Sequence, residues 1–282
     1  MRLLFLGDVV GKAGRQAVVE WLPRLRDRLQ VDFAIVNAEN AAHGFGLTVK
    51  IAEAFYEAGA DCLTTGNHVW AQREILTAID SDQRLLRPAN YPDGTPGRGA
   101  ALLIGRNGHS VLVANVMARV FMDPLDDPFA CADRLLADMQ MPRDADAIVV
   151  DFHGEATSEK MAMGHYLDGR VSLVVGTHTH VPTADLQILP GGTGYQTDAG
   201  MCGDYDSVIG MKKQVAMARF TSKLPGERMT PAEGPATICG LIVDTDPKTG
   251  LAVNIAPLRL GGRLQRASPD DASFVQSEKT PR

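Results

Sequence analysis

The sequence predicts a layered α/β fold, because short apolar segments alternate with helical segments along most of the chain. The first elements are strand, helix, strand, helix and strand, with the strands at residues 2–6, 33–36 and 62–65. This order is typical of layered α/β proteins. The predicted strands are apolar throughout, as parallel strands covered on both faces are. Polar residues follow several strands directly, where the loops of such a sheet converge on one crevice.

The remaining elements follow from the same periodicities. Thr48 is placed to cap the second helix, and Pro23 lies inside the first, where it can kink it. Asn107-Gly108 is a strong hairpin signal between two apolar segments. Helices are predicted at residues 14–29, 48–58, 71–79 and 158–166. Further strands are predicted at residues 100–104, 111–115, 147–150, 173–175, 186–189, 195–197, 238–244 and 252–258.

The chain is predicted to form a single domain over residues 1–262. A segment of about residues 197–220 combines glycines with mixed polarity, a composition that fits a cap or lid as well as a packed closing loop. Within it, residues 204–214 are expected to cover the site as a loop or a helix. Residues 263–282 are polar and charged, so we expect a C-terminal tail that frays.

Composition argues against several classes of protein. A formal net charge of −6 over 282 residues disfavours an extended nucleic-acid surface, which needs a broad cationic face. The four cysteines are scattered without a C-x-x-C pair, so neither a thiolate zinc cluster nor a disulfide scaffold is expected. Gly7-Asp8 interrupts the apolar start, and no segment is long enough to span a bilayer. We therefore expect a soluble cytoplasmic protein.

Five polar segments that follow predicted strands indicate a metal site. Each residue alone has an ordinary explanation, such as a helix cap, a turn or a surface histidine. Five strand ends that all carry carboxylate, amide or imidazole groups are not explained in that way, and they offer enough ligands for two metals. The segments are Gly7-Asp8, Glu39-Asn40, Gly66-Asn67-His68, Asp151-Phe152-His153 and Thr177-His178-Thr179-His180.

The first of these segments does not match a nucleotide-binding loop. A Walker loop needs four residues between its glycines and Ser or Thr after its lysine. Here three residues separate Gly7 from Gly11, and Ala13 follows Lys12. The dinucleotide pattern G-x-G-x-x-G is not matched either. Phosphate binding through this loop is therefore not predicted.

In order along the chain, these residues resemble the calcineurin-like metallophosphoesterases: Asp, an acidic loop, Gly-Asn-His, His and then Gly-x-His-x-His. Longer segments are similar to the YmdB-like subgroup, which hydrolyses 2′,3′-cyclic nucleotides. They are GDVVG at 7–11, NAENAA at 37–42, TGNHVW at 65–70, DFHGEATSEK at 151–160 and YDSVIGM at 205–211. The resemblance runs from residue 1 to about residue 260. It implies a layered α-β-β-α sandwich of the metallophosphoesterase type with a small cap or lid.

The chain departs from the wider superfamily at three points. Val10 replaces the histidine of the opening Asp-x-His, Ala38-Glu39-Asn40 replaces the usual Gly-Asp-x-x-Asp loop, and Val69 follows Gly-Asn-His in place of an acidic residue. The subgroup resemblance implies that Glu39 bridges two metals and that Asn40 supplies part of the missing coordination. It assigns one metal to Asp8, Glu39, Asn40 and His180. It assigns the other to Glu39, Asn67, His153 and His178.

A mechanism follows as a hypothesis from the chemistry of two metals and from the placement of His68 beside Asn67. A hydroxide that bridges the metals would attack phosphorus in line with the departing ribose oxygen, and His68 would be the general acid. A ligand set of imidazole and oxygen donors without cysteine suits iron or manganese, with zinc as an alternative. No substrate-binding residues are identified from the sequence.

The leading hypothesis is thus a dinuclear metal-dependent phosphodiesterase acting on small cyclic nucleotides, with 2′,3′-cyclic nucleotides as the expected substrates. Two alternatives stay open. One is a phosphomonoesterase that uses the same metal site. The other is a regulatory protein that binds nucleotide or RNA and whose turnover is incidental, although the acidic balance disfavours a long RNA groove. A homo-oligomer is compatible with the sequence.

Overall fold

The computed structural model describes residues 1–222 and 226–269 of the chain. Its strands are β1 Arg2–Leu6, β2 Asp8–Val9, β3 Phe33–Asn37, β4 Cys62–Thr64, β5 Ala100–Ile104, β6 Ser110–Met117, β7 Ala147–His153, β8 Leu173–Thr177, β9 Gln187–Ile188, β10 Gly194–Gln196, β11 Met201–Asp204, β12 Ala236–Thr245 and β13 Ala252–Gly261. Its α-helices are α1 Gly11–Arg28, α2 Val49–Glu57, α3 Ile75–Ala78, α4 Pro128–Leu136, α5 Thr157–Tyr166 and α6 Lys213–Thr221.

The strands form two sheets. The first sheet has seven strands in the order β2-β11-β12-β1-β3-β4, with β13 paired to β12. One side of it is parallel, since β3 pairs in parallel with both β1 and β4, whereas β12 pairs antiparallel with β1, β11 and β13. The second sheet has six strands in the order β5-β6-β7-β8-β10-β9. Its four central strands are parallel, and antiparallel partners close both edges.

Three apolar clusters show how the layers pack. The inner faces of the two sheets meet in a cluster that includes Phe5 and Ile35 of the first sheet and Val113 and Val175 of the second. On the outer face of the first sheet, α1 and α2 contribute residues such as Leu22 and Phe55. On the outer face of the second, Met163 of α5 and Leu136 of α4 do the same. The predicted α-β-β-α sandwich is confirmed.

Several predicted elements are confirmed at close to their expected bounds. Thr48 caps α2, because its hydroxyl accepts a hydrogen bond from the Ile51 amide. The hairpin around Asn107-Gly108 forms between β5 and β6. Strands β9 and β10 pair antiparallel as expected. Helix α1 runs through Pro23 and begins at Gly11, three residues earlier than predicted.

Other elements differ from the prediction. The helix predicted at 71–79 is divided into a 3-10 turn, Val69–Ala71, and the short α3, because Gln72 between them is extended. Helix α4 was not predicted, although Asp127 caps it and Pro128 opens it. Strand β11 was not predicted either, and it places residues 201–204 inside the first sheet. The bounds of the single domain and of the cap at 197–220 stay predictions.

The predicted tail lies largely outside the described residues, since the structure describes it only as far as residue 269. In the described part, Arg259 and Ala267 exchange backbone hydrogen bonds beside the end of β13. Among the described helices, none combines the length and apolar character needed to cross a membrane.

Candidate active site

All eight residues predicted to act in the site lie together at the carboxyl ends of the strands. The first sheet supplies Asp8 after β1, Glu39 and Asn40 after β3, and Asn67 and His68 after β4. The second sheet supplies His153 at the end of β7, and His178 and His180 after β8. The site therefore lies across the boundary between the two sheets, and each half of it comes from one of them.

One group of side chains surrounds the His153 ring. The Nε2 atom of His153 lies 3.0 Å from Asn67 Oδ1, 3.3 Å from Glu39 Oε1 and 3.1 Å from His178 Nδ1. A single N–H group cannot satisfy three such neighbours. Ligand atoms of Glu39, His153 and His178 all lie within 4.8 Å of one another, which is the separation expected around a bound cation.

A second group lies beside the first and meets it at Glu39. The Asn40 amide nitrogen donates to Glu39 Oε1 at 3.0 Å and lies 3.2 Å from His180 Nε2. His180 Nε2 lies 3.8 Å from Asp8 Oδ1. That oxygen is buried and has no hydrogen-bond partner among the described residues. A buried carboxylate oxygen without a partner is costly unless a cation compensates it.

Hydrogen bonds behind the rings orient two of the histidines. The Thr177 hydroxyl donates to Asp151 Oδ1 at 2.6 Å and therefore accepts from His153 Nδ1, which lies 2.9 Å away. His180 Nδ1 donates to the Ile209 carbonyl at 2.8 Å. Both rings are thus held with Nε2 towards the site, as metal-binding histidines usually are.

Asp151 is the anchor of this support, although it does not face the cavity. It is fully buried and accepts hydrogen bonds from Asn37 at 3.0 Å and from the Thr64 hydroxyl. These two donors belong to the first sheet, whereas Asp151 belongs to the second. The support for His153 therefore also ties the two sheets together.

The loop after β8 adopts an unusual backbone conformation. His178 and His180 have φ angles of 99° and 67°, in the left-handed region that side-chain-bearing residues rarely enter. Between them, the Thr179 amide and hydroxyl both donate to Asp198 Oδ2, at 3.0 and 2.7 Å. Strained backbone of this kind persists when the surrounding contacts over-determine it, and it is common at functional sites.

A buried ion pair holds that loop in place. Lys160 Nζ donates to Asp198 Oδ2 at 2.8 Å and to the Thr177 carbonyl at 2.7 Å. The side chains of Lys160 and Asp198 are 1% and 0% exposed. Because neither charge reaches water, each depends on the other for compensation. The pair links α5 to the segment before β11 and supports the loop between them.

Gly66 leaves room for the side chains of His153 and Glu39. A Cβ atom at this position would lie 2.2 Å from His153 Nε2 and 2.3 Å from Glu39 Oε2. Both distances are far below van der Waals contact, so even alanine would displace a predicted ligand. The glycine of Gly-Asn-His is explained by this close approach.

The carboxylates and imidazoles shift one another's pKa values. Burial raises the pKa of Asp8 to about 6, against the opposing charges of His180 and His153. Burial also opposes ionisation of Glu39, but the charge and hydrogen bond of His153 overcome it and lower the pKa of Glu39 to about 2. Burial disfavours the His153 imidazolium, yet Glu39 raises its pKa to about 9.

The neighbouring His178 shows the opposite shift. Burial and the charge on His153 lower the pKa of His178 to about 3. Glu39 thus favours the protonated form of His153, whereas burial and His153 favour the neutral form of His178. Replacement of protons by a cation is the usual coupling at a metal site. The unpartnered Asp8 oxygen, the crowded His153 nitrogen and the oriented rings all fit such a cation.

His68 lies above this group at the wall of a cavity of about 420 Å³. Its backbone amide donates to Glu39 Oε2 at 3.3 Å, and its ring packs edge-on against Phe45, with centroids 5.0 Å apart. Burial lowers the pKa of His68 below its usual value. The cavity volume suits a small molecule such as a nucleotide.

Comparison with known proteins decides the family. The family model described as "YmdB-like protein" matches residues 4–258. The chain belongs to the YmdB-like family. It is 50% identical over 255 residues to the 2′,3′-cyclic-nucleotide 2′-phosphodiesterase of Bacillus subtilis (strain 168), a match that covers 90% of this chain and 95% of that protein. The predicted subgroup is therefore confirmed.

Two solved structures share the fold of this chain. A hypothetical protein from Thermus thermophilus shares 45% identity with a TM-score of 0.86, over 93% of this chain and 100% of that one. A structure described as a novel phosphatase from Mycoplasma pneumoniae shares 34% identity with the same TM-score of 0.86, over 96% of each chain.

Sequence reasoning missed several residues that shape this YmdB-like site. Lys160 and Asp198 are separated in sequence, and neither had a pattern that pointed to the other. Asp151 lies two residues before His153, so a role in orienting that ring can be expected from the sequence, but the route through Thr177 is visible only in three dimensions. Ile209 and Met211 lie in the segment expected to cover the site, and both line the cavity. The rest of the wall comes from separate loops that no pattern connected; it includes Phe45, Arg219, Arg228 and Met229.

Proposed function

We propose that this protein hydrolyses the 2′,3′-cyclic phosphate of small nucleotides. The single observation that carries the proposal is a cluster of carboxylate, amide and imidazole ligands beneath a nucleotide-sized cavity. The relative that is 50% identical and is a 2′,3′-cyclic-nucleotide 2′-phosphodiesterase supports the substrate. The same relative confirms the predicted enzyme class, that of a hydrolase of phosphoric diesters.

The residues that would hold metal are those predicted from the sequence. Asp8, Asn40 and His180 form one group, Asn67, His153 and His178 form the other, and Glu39 contacts both. Two metal ions bound there would polarise the phosphoryl oxygens and supply an activated water at neutral pH. Iron and manganese are the ions that this donor set favours, with zinc as an alternative.

The chain's own groups would complete the reaction. Water adds to phosphorus, the P–O2′ bond breaks, and the leaving O2′ takes up a proton, which leaves a 3′-phosphate. His68 is the proposed proton donor, since it lines the cavity beside Asn67 and does not belong to either ligand group. Phe45 restricts the imidazole from one side and holds it in the cavity.

The test combines metal content with turnover of 2′,3′-cyclic AMP by wild type and Glu39→Ala. We expect about two metal ions per wild-type chain, and a loss of both metal and activity of at least about 100-fold in the variant, because Glu39 contacts both groups. Glu53→Gln, an exposed carboxylate on α2, is the matched control and should behave as wild type.

Three outcomes separate the candidate functions. Hydrolysis of the cyclic diester that stops at the monoester supports the phosphodiesterase. Faster release of inorganic phosphate from monoesters would favour a phosphomonoesterase, the activity that the Mycoplasma pneumoniae structure's description suggests. Bound metal without turnover of either would contradict catalysis and favour a nucleotide-binding role. A cytoplasmic location and a homo-oligomer stay predictions.

A further inference from the structure

The cavity has a cationic rim that the proposed chemistry does not use. Among the described residues that line it, Arg219 and Arg228 are the only lysines or arginines. Arg219 lies on the last turn of α6, and Arg228 lies on the segment that returns from that helix. The two segments are tied at their base, where the Lys212 amide donates to the Thr230 carbonyl at 2.9 Å.

Neither arginine is committed to another role in the described part of the chain. Both side chains are exposed, and no described carboxylate forms an ion pair with either of them. By contrast, Arg2 and Arg170 each contact an aspartate within 3 Å. Arg219 and Arg228 are therefore available to a ligand in the cavity.

The cavity between the metal ligands and this rim is largely apolar. Phe45, Ile209, Met211 and Met229 line its wall, and the Glu155 carboxylate lines it beside His178, 3.5 Å from Nε2 of that ring. Such a wall suits the ribose and base of a nucleotide, while an arginine pair suits a phosphate, because guanidinium groups match its oxygens in geometry and charge. In a nucleoside 2′,3′-cyclic phosphate, the O5′ atom lies on the far side of the ribose from the cyclic phosphate.

We propose that Arg219 and Arg228 form a subsite for a phosphoryl group on O5′ of the substrate. This inference rests on the proposed function for the orientation of the ribose. The preferred substrate class is then a 2′,3′-cyclic phosphate that also carries a 5′-phosphate, either as a free nucleotide or as the 3′-terminal residue of an oligoribonucleotide. An unphosphorylated nucleoside 2′,3′-cyclic phosphate reacts without this contact.

The kinetic test compares three substrates on the metal-loaded enzyme: adenosine 2′,3′-cyclic phosphate, its 5′-phosphorylated form, and the dinucleotide ApA with a terminal 2′,3′-cyclic phosphate. We expect kcat/KM to be at least about tenfold higher for one or both of the 5′-substituted substrates, as a charge-assisted contact would give. A preference for the 5′-monoester identifies a free nucleotide, and one for the dinucleotide identifies an RNA end. No preference for either overturns the proposal.

Variants then assign the preference to the two arginines. In Arg219→Gln/Arg228→Gln, the ratio of kcat/KM between 5′-substituted and unsubstituted substrates should fall to about one, and in wild type the same ratio should shrink with added salt. Arg143→Gln changes an exposed arginine that does not line the cavity; it removes one positive charge and should keep the wild-type ratio. A double variant with an undiminished ratio would exclude these arginines.

A binding measurement separates this inference from the proposed function. Calorimetry of adenosine 3′,5′-bisphosphate and adenosine 3′-phosphate needs no turnover. Wild type should bind the bisphosphate at least about tenfold more tightly, and the double variant should lose the difference. If wild type hydrolyses no cyclic substrate, the proposed function fails, while this ratio still tests the subsite. Equal affinities in wild type would overturn the subsite alone.

Discussion

The floor of the cavity and its rim are built in contrasting ways. The floor consists of Glu39, which lines the cavity, with Asp8 and His153 beneath it; all three are fully buried, and side-chain hydrogen bonds restrain the Glu39 carboxylate and the His153 ring. On the rim, Arg219 and Arg228 are exposed and lie on segments joined by a backbone contact below them. Under the proposed function, the fold would fix the position of the reaction, whereas exposed residues would recognise the rest of the substrate.

The largest expected effect is a loss of turnover on substitution of His68, which lies between the floor and the rim. His68→Ala should keep the metal content and lose about 10²–10⁴-fold in turnover of 2′,3′-cyclic AMP, the usual contribution of a proton donor. An aryl phosphodiester has a better leaving group and should lose much less. The turnover rate on each substrate and the metal content of both proteins are measured to check this. Equal losses of turnover on the two substrates would contradict the role of His68 as proton donor.

The next effect tests how strongly the floor depends on its buried ion pair. Lys160→Met leaves Asp198 charged and uncompensated, so the free energy of unfolding should fall by about 3–5 kcal/mol. Urea denaturation at fixed metal concentration measures it. Lys160→Met/Asp198→Asn should recover part of the loss, and Lys248→Met, on the exposed turn before β13, should change little. A double variant no more stable than the single would contradict the pairing.

A smaller effect tests the support behind one ligand. Thr177→Val keeps the side-chain shape but removes the hydroxyl between His153 and Asp151, so metal affinity should fall about 10–100-fold. Competition with a metal chelator measures this affinity. Thr77→Val removes an exposed hydroxyl from α3 and is the control. Unchanged affinity in Thr177→Val would show that the ring holds its orientation without this support.

The smallest effect is expected on the rim. Phe220 on α6 is 81% exposed, so Phe220→Ser should alter the free energy of unfolding by less than about 0.5 kcal/mol. Thermal unfolding of wild type and Phe220→Ser at several protein concentrations checks this. A large loss of stability would mean that Phe220 is buried against other residues. It would contradict the contrast between an exposed rim and a buried floor.

The floor could be predicted from the sequence because its residues are tied to strand ends. Asp8, Asn67 and His153 each follow or end an apolar segment. The apolar pattern that predicts a strand, and the polar residue that follows it, can both be identified in the sequence. The assignment of seven metal ligands and of His68 as acid remains a prediction, although the structure brings all eight together. The α-β-β-α layering followed from the same alternation of strands and helices.

The rest required three-dimensional information for identifiable reasons. Lys160 lies in a helix where a lysine normally faces water, and its burial arises from Asp198, 38 residues away. Glycine usually marks positive φ, so nothing in the sequence marked His178 and His180 as left-handed. Helix α4 is different, since Asp127 and Pro128 are ordinary start signals that the sequence did contain.

The division of the site between two sheets has a consequence for how the protein unfolds. Asp8, Glu39 and Asn67 belong to one half of the sandwich, whereas His153 and His180 belong to the other. A cation held by both halves acts as a cross-link that is lost when either half opens. Ligand that binds only the folded chain adds to its stability in proportion to the logarithm of its concentration. Metal supply would therefore govern the equilibrium stability of the folded protein as well as its activity.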